Sequence, residues 1–220
     1  MRRLTEFAPK FFALVLNSFP DRIFVTAIGT DSGKTLTSAV LVNHLRAAYW
    51  KPVQCGSPTD SSWMTSMLPE AVIIPERYCL KTPASPHFAA ENEGITISPE
   101  DFSVPDVQGP LVVEGAGGLM VPLNGNEVLA DLITRLDLPV VLVINHYLGA
   151  LNHSLLTIAE LERRKIPVAG LVFNGLDFQN AESVIQNRCP APCILRIPKL
   201  DEVNRTAIEE ISNKVNLNGL

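Results

Sequence analysis

A chain of 220 residues, 46% apolar and 19% charged, is long enough for one sizeable domain with a well-buried interior, and this composition excludes an intrinsically disordered chain. A formal charge of −5 and a pI near 5.4 leave no basic stripe for a nucleic-acid backbone, so nucleic acid is excluded as a partner and any phosphate must be bound locally. Mean hydropathy is +0.18, yet the longest aliphatic run, Val140-Val141-Leu142-Val143-Ile144, is far shorter than the roughly eighteen residues of a membrane span and reads as a buried strand.

Residues 1–22 stand apart. Arg2 and Arg3 ahead of Phe11-Phe12-Ala13-Leu14-Val15-Leu16 imitate a signal peptide, but the apolar stretch is short, Glu6 and Lys10 interrupt the lead-in, and no small-residue cleavage pattern follows. This segment is read as an N-terminal extension of unknown role before a domain over 23–220. From there short β-branched runs alternate with longer amphipathic stretches. Strands are expected at Ile23 to Thr26, Trp50 to Gln54, Ala71 to Ile74, Leu111 to Val113, Val140 to Ile144, Val168 to Phe173 and Ile194 to Ile197. Helices are expected from Thr35 to Ala48, about Glu127 to Leu136, about Asn152 to Arg164, near Ala181 to Asn187 and near Val203 to Lys214, with a loop entering a short helix over Pro83 to Glu93. The strands are apolar on both faces, the signature of a mostly parallel sheet covered by helices on both sides. The expected fold is therefore a single doubly wound α/β domain, with ligands beyond the carboxyl ends of the strands.

The sharpest motif leaves the first strand and opens the first helix: Val25-Thr26-Ala27-Ile28-Gly29-Thr30-Asp31-Ser32-Gly33-Lys34-Thr35. Backbone N–H groups of such a loop and the positive end of the helix hold phosphate oxygens, the lysine adds charge, and the threonine hydroxyl ligates magnesium. Ile28 stands where the common pattern has a glycine, so the loop is a variant. Leu111-Val112-Val113-Glu114-Gly115-Ala116-Gly117-Gly118 is the second signal. An acid ending a buried strand beside a phosphate loop is placed to hold magnesium, and the glycines allow close backbone approach; alone, a tight turn with a solvent-facing acid is an equal reading.

Lys51, in Trp50-Lys51-Pro52-Val53, ends an expected buried strand, where a second lysine converging on the phosphate would neutralise charge developing during transfer; from the residues alone, snorkelling at the strand edge is the simpler account. Asp60 sits in a polar interval and by itself is one acidic loop residue among many. Asn174 closes a strand and either reads a base edge or makes a routine turn before glycine. The four histidines and four cysteines show no metal-ligand spacing, so the histidines read as packing or capping residues and the thiols as those of a reducing cytoplasm.

Taken together, Gly33-Lys34-Thr35, Lys51-Pro52-Val53, Ser85-Pro86-His87, Glu114-Gly115-Ala116-Gly117-Gly118, Leu148-Gly149-Ala150-Leu151-Asn152-His153, Gly170-Leu171-Val172-Phe173-Asn174 and Ile197-Pro198 resemble the dethiobiotin synthetase family in order and spacing, from Ile23 to about Leu200. The resemblance implies ATP-dependent ring closure of 7,8-diaminononanoate with CO2, in a P-loop fold. It implies that Lys34 and Lys51 are catalytic and embrace the transferring phosphoryl group, and that Thr35, Asp60 and Glu114 hold magnesium. ATP would further meet Asp31, Ser32, Gly33, Leu36, Gly115, Ala116 and Gly117, with Asn174 on the adenine and Pro198 beside it. The substrate would meet Lys51, Cys55, Gly149 and Asn152, its carboxylate held at a homodimer interface by the helix start at Gly149 to Asn152 of the other subunit.

Three positions depart from the family pattern: Ala27 replaces a usual loop glycine, Asp31 falls at a variable position, and Cys55 takes the place of a common substrate-contacting serine, offering a weaker hydrogen-bonding group. Two other readings compete. A P-loop amidoligase of the cobyrinate type usually carries a glutaminase domain for which there is no room, and a partitioning-type ATPase switch usually has a second lysine early in the loop, where Ala27 and Ile28 stand.

Overall fold

The computed structural model describes residues 18–217. The extension assigned to residues 1–22 lies outside the described residues except for positions 18–22. Ile23, Val25 and Ala27 of strand β1 (Arg22–Ala27) face one hydrophobic cluster and Phe24 the opposite one, so the strand is apolar on both sides because both sides are covered. The same division runs through β7 (Val140–Asn145), with Val141 and Val143 on one side and Val140, Leu142 and Ile144 on the other.

With β2 (Ala48–Trp50), β4 (Ile73–Ile74), β6 (Leu111–Glu114), β8 (Val168–Asn174) and β9 (Cys193–Ile197), these strands form a seven-stranded parallel sheet in the order β4-β2-β6-β1-β7-β8-β9. One face is covered by α1 (Lys34–Leu45), α2 (Asp60–Met67) and α7 (Arg205–Ser212), the other by α3 (Pro86–Asn92), α4 (Leu129–Leu136), α5 (Ala150–Arg164) and α6 (Ala181–Arg188). Every residue of α1 from Thr37 to Val42 is buried, because α7 covers the side that the sheet does not. No helix among the described residues is long and apolar enough to cross a membrane.

The expected strand from Trp50 to Gln54 is two strands in two sheets. Pro52 has no N–H for a ladder, and its carbonyl instead accepts the N–H groups of Arg77 and Tyr78 at 2.9 and 3.0 Å. The chain thus leaves the main sheet, and β3 (Val53–Cys55) pairs in parallel with β5 (Tyr78–Leu80), a strand without a sequence expectation. The polar interval around Asp60 is also not a loop. Thr59 caps α2, its Oγ1 accepting the Ser62 N–H at 3.0 Å, with Asp60 as the first helical residue. The first helix ends at Leu45 rather than Ala48, because Arg46 turns left-handed at φ 53° and the next strand begins at once.

A charged clasp joins α4 to α5: Arg164 pairs with Asp131 at 2.5 Å and with Glu160 at 2.6 Å, and Arg163 adds a second guanidinium to Glu160. Hydrogen bonds from Arg163 and Arg164 hold the Glu160 carboxyl down at about 2. A carboxyl depressed in the folded state contributes stability above its ordinary range near 4.5 and loses it as pH falls through about 2. Glu160→Gln is therefore expected to lower the neutral-pH thermal midpoint modestly and to flatten its dependence on pH between about 4.5 and 2, so that the variant and the parent converge in acid, as read by circular dichroism.

Candidate active site

The loop from Ile28 to Gly33 joins the central strand β1 to α1, at the carboxyl edge of the sheet. Its backbone enters the left-handed region at Asp31 (φ 56°), a residue type that tolerates it, and at Gly33 (φ 88°). A Cβ on Gly33 would fall 2.2 Å from Asn174 Nδ2. That amide donates to the Ser32 carbonyl at 3.0 Å and ties the end of β8 to the loop. Ala27 is a strand residue, and neither it nor Ile28 has positive φ, so the missing glycines cost no backbone strain. Ser32 Oγ and Lys34 Nζ both donate to the Gly29 carbonyl at 3.1 Å, which folds the loop around the lysine tip. Burial pushes Lys34 down to about 8, against the pull of Glu114.

Strand β6 delivers Glu114 beside this loop because it pairs directly with β1, Val25 opposite Glu114. Glu114 is 1% exposed and collects three donors: Thr35 Oγ1 at 2.9 Å and Lys51 Nζ at 3.0 Å on Oε1, and the Tyr49 hydroxyl at 2.9 Å on Oε2. Lys51 also pairs with Asp60. Burial alone would disfavour the ammonium, but Glu114 and Asp60 outweigh it and hold Lys51 above its ordinary range, so it is a fixed cation. Snorkelling is thereby set aside: Lys51 is 5% exposed, with its tip between two carboxylates.

These groups face one cavity of about 650 Å³. Of the expected site residues it is lined by Asp31, Gly33, Lys34, Thr35, Leu36, Lys51, Cys55, Asp60, Glu114, Ala116 and Gly117. Ser32, Gly115, Asn174 and Pro198 do not line it; the Gly115 N–H is engaged by the Val25 carbonyl at 3.0 Å. Gly149 and Asn152 stand elsewhere, at the start of α5, where Asn152 is exposed. Cys55 forms part of the wall, and burial raises its thiol to about 11, so it stands there as a neutral group.

Sequence reasoning missed two residues of this centre. Gln54 accepts the Asp60 N–H at 3.2 Å and fixes the start of α2 against the cavity. Tyr49 fell between the expected helix ending at Ala48 and the expected strand opening at Trp50, whereas it is the middle residue of β2 and its hydroxyl donates to Glu114. It also missed that His146, Asp177 and Glu182 bring their ligand atoms within 4.8 Å of one another. There His146 stacks on Phe173, and Arg196 already pairs with Glu182 at 2.7 Å.

A parallel strand ending in a closed loop, a lysine and threonine opening the next helix, and an acid on the neighbouring strand define a P-loop nucleotide-binding protein. The family model described as an AAA domain matches residues 21–207. A ParA family ATPase from Chlorobium tepidum TLS superposes with a TM-score of 0.51 at 14% identity, covering 89% of this chain and 92% of that one, a likeness of fold alone. Sequence relatives are more specific. The chain is 46% identical over 198 residues to the ATP-dependent dethiobiotin synthetase BioD of Cytophaga hutchinsonii, covering 88% of this chain and 96% of that one. It is 45% identical over 192 residues to the protein of the same description from Rhodopseudomonas palustris strain BisB18, covering 86% and 92%. The chain belongs to the dethiobiotin synthetase family.

Proposed function

We propose that this chain closes the ureido ring of dethiobiotin from 7,8-diaminononanoate, CO2 and ATP, as an ATP-dependent ligase of biotin biosynthesis. The observation that carries the reading is the buried Lys51, held between Glu114 and Asp60 on the wall of the cavity that Lys34 and Thr35 enter from the helix start. A nucleotide switch has no evident use for it; phosphoryl transfer does. One substrate amine adds to CO2 and loses a proton to give a carbamate. A carbamate oxygen attacks the γ-phosphorus and ADP leaves; the second amine then attacks the carbamic-phosphoric anhydride carbonyl and expels phosphate, closing the urea. Lys34 and Lys51 hold the transferring group and neutralise its charge, while the loop N–H groups position the polyphosphate. Protein acid–base chemistry has no part in this account, in keeping with a neutral Cys55 and a fixed Lys51 cation.

The donor set of a hydroxyl and two carboxylates, Thr35, Glu114 and Asp60, suits a hard divalent cation, with both acids ion-paired to the single ammonium of Lys51. These residues would hold magnesium, which when bound supplies Lewis-acid charge neutralisation of the phosphates. Asn174 and Pro198, at the far ends of β8 and β9, are read as the adenine side. The start of α5 is read as the carboxylate site that one protomer of a homodimer offers its partner. Only the interface part of that reading draws support from a second cavity of about 400 Å³, lined on the α5 side by His153, Leu156 and Thr157 and rimmed by the exposed Met120 and Leu156; Gly149 to Asn152 do not line it. Free thiols at Cys55, Cys79, Cys189 and Cys193 support a cytoplasmic location.

The test is turnover of the purified chain with ATP, magnesium chloride and radiolabelled bicarbonate. ADP release is expected to require both the metal and 7,8-diaminononanoate, with label entering the cyclic product. ATP hydrolysis indifferent to the diamine, or ATP-driven amidation of a carboxylate in its place, overturns the reading.

A further inference from the structure

Tyr49 is among the largest side chains of the core at 0% exposure, set in β2 opposite Val112 of β6 within the hydrophobic cluster that also holds Ile23 and Val25 of β1. A phenylalanine would pack there as well, so the hydroxyl asks for a reason. Its partner is Glu114 Oε2 at 2.9 Å, on the side of the carboxylate turned away from Thr35 and Lys51, which both meet Oε1. The terminal torsion of a glutamate is broad and roughly two-fold when nothing restrains it. Here one oxygen is anchored in the core, and the other is left for the cavity.

We propose that Tyr49 is a positioning residue, fixing the rotation of the Glu114 carboxylate so that Oε1 alone is presented to the bound nucleotide and its divalent cation. The donor sense of the bond follows from the groups that meet: the phenol O–H donates and the carboxylate oxygen, which has no hydrogen to give, accepts. Removing the hydroxyl leaves Oε2 buried without a partner, and the carboxylate gains by turning both oxygens toward Lys51 and Thr35, which misaligns it for a cation. Groups that orient a metal-binding carboxylate typically change metal affinity by about 10-fold to 100-fold when lost. The inference rests on the reading of Thr35, Asp60 and Glu114 as the magnesium site.

The experiment is calorimetric titration of ADP into the purified chain with and without magnesium chloride, for the parent, Tyr49→Phe and Tyr49→Met, the last an apolar replacement with a more adaptable shape should phenylalanine fold poorly. Magnesium is expected to tighten ADP binding in the parent, and this tightening is expected to fall by about tenfold in the variants, with metal-free ADP affinity unchanged within about twofold. In a Glu114→Gln background Tyr49→Phe is expected to change the magnesium effect no further. A folded variant that keeps the full magnesium effect, even with a lowered thermal midpoint, makes Tyr49 a packing residue and overturns this inference while leaving the metal site standing. A parent chain whose ADP binding ignores magnesium overturns the metal site and this inference together.

Discussion

Lys51→Met is expected to lower kcat by about a thousandfold while the KM for ATP moves much less, measured by coupled ADP release. The reason lies in what Lys51 touches. Its ammonium is the cation shared by Glu114 and Asp60 at the cavity wall, held charged by both, and its effect on reaction comes from charge that builds up only as the phosphoryl group moves. Loss of one member of a buried charge cluster usually costs about 3–5 kcal/mol of stability. The fold is expected to survive, because Glu114 keeps its hydrogen bonds from Thr35 and Tyr49, and Asp60 stands at a helix start with partial exposure. Lys51→Arg is expected to recover little of the rate, since a planar guanidinium does not fit a point-charge site enclosed on both sides. Activity of Lys51→Met within about tenfold of the parent removes Lys51 from the catalytic account.

Gly33→Ala is expected to weaken ADP binding by at least about tenfold and to lower the thermal midpoint, read by calorimetry and circular dichroism. Two separate penalties act. The residue adopts φ 88°, a conformation that costs an L-residue about 1–2 kcal/mol. The new methyl group also falls 2.2 Å from Asn174 Nδ2, so the amide that ties β8 to the Ser32 carbonyl must move. The second penalty is separable: Asn174→Ala in the Gly33→Ala background is expected to regain part of the midpoint, since the clash goes while the dihedral strain stays. A double variant no more stable than Gly33→Ala rejects the steric account, and unaltered ADP affinity in Gly33→Ala removes the loop from phosphate binding.

The legible part of the site was the part written in contiguous residues. Gly33, Lys34 and Thr35 announce a phosphate loop because turn, charge and helix start must follow one another along the chain, and the structure places them so. Glu114 was legible once a neighbouring loop was assumed, and pairing of β6 with β1 supplies that neighbour. Lys51 and Asp60 were ambiguous as residues, since a strand-edge lysine and a polar-segment aspartate look the same with or without a task; only the contacts of Lys51 with Asp60 and with Glu114 distinguish a buried, ion-paired lysine from a snorkelling one. The α2 helix was hidden by its Ser- and Thr-rich composition although Thr59 and Asp60 form a sound cap, and β5 was hidden by its length.

What the amino-acid sequence determines by itself is the layering: strands apolar on both faces can be satisfied only by helices on both sides, and a loop with Gly33-Lys34-Thr35 must open a helix at the edge of such a sheet. What only the tertiary structure decides is which distant groups share a charge. Strand order puts Tyr49, Lys51, Glu114 and Thr35 within hydrogen-bond reach across separations of up to 79 residues, and Pro52 and Gln54 turn Asp60 toward them. The physical reason is that propensity and hydrophobic period act locally, whereas compensation of a buried charge depends on distance in space, which the chain order does not encode.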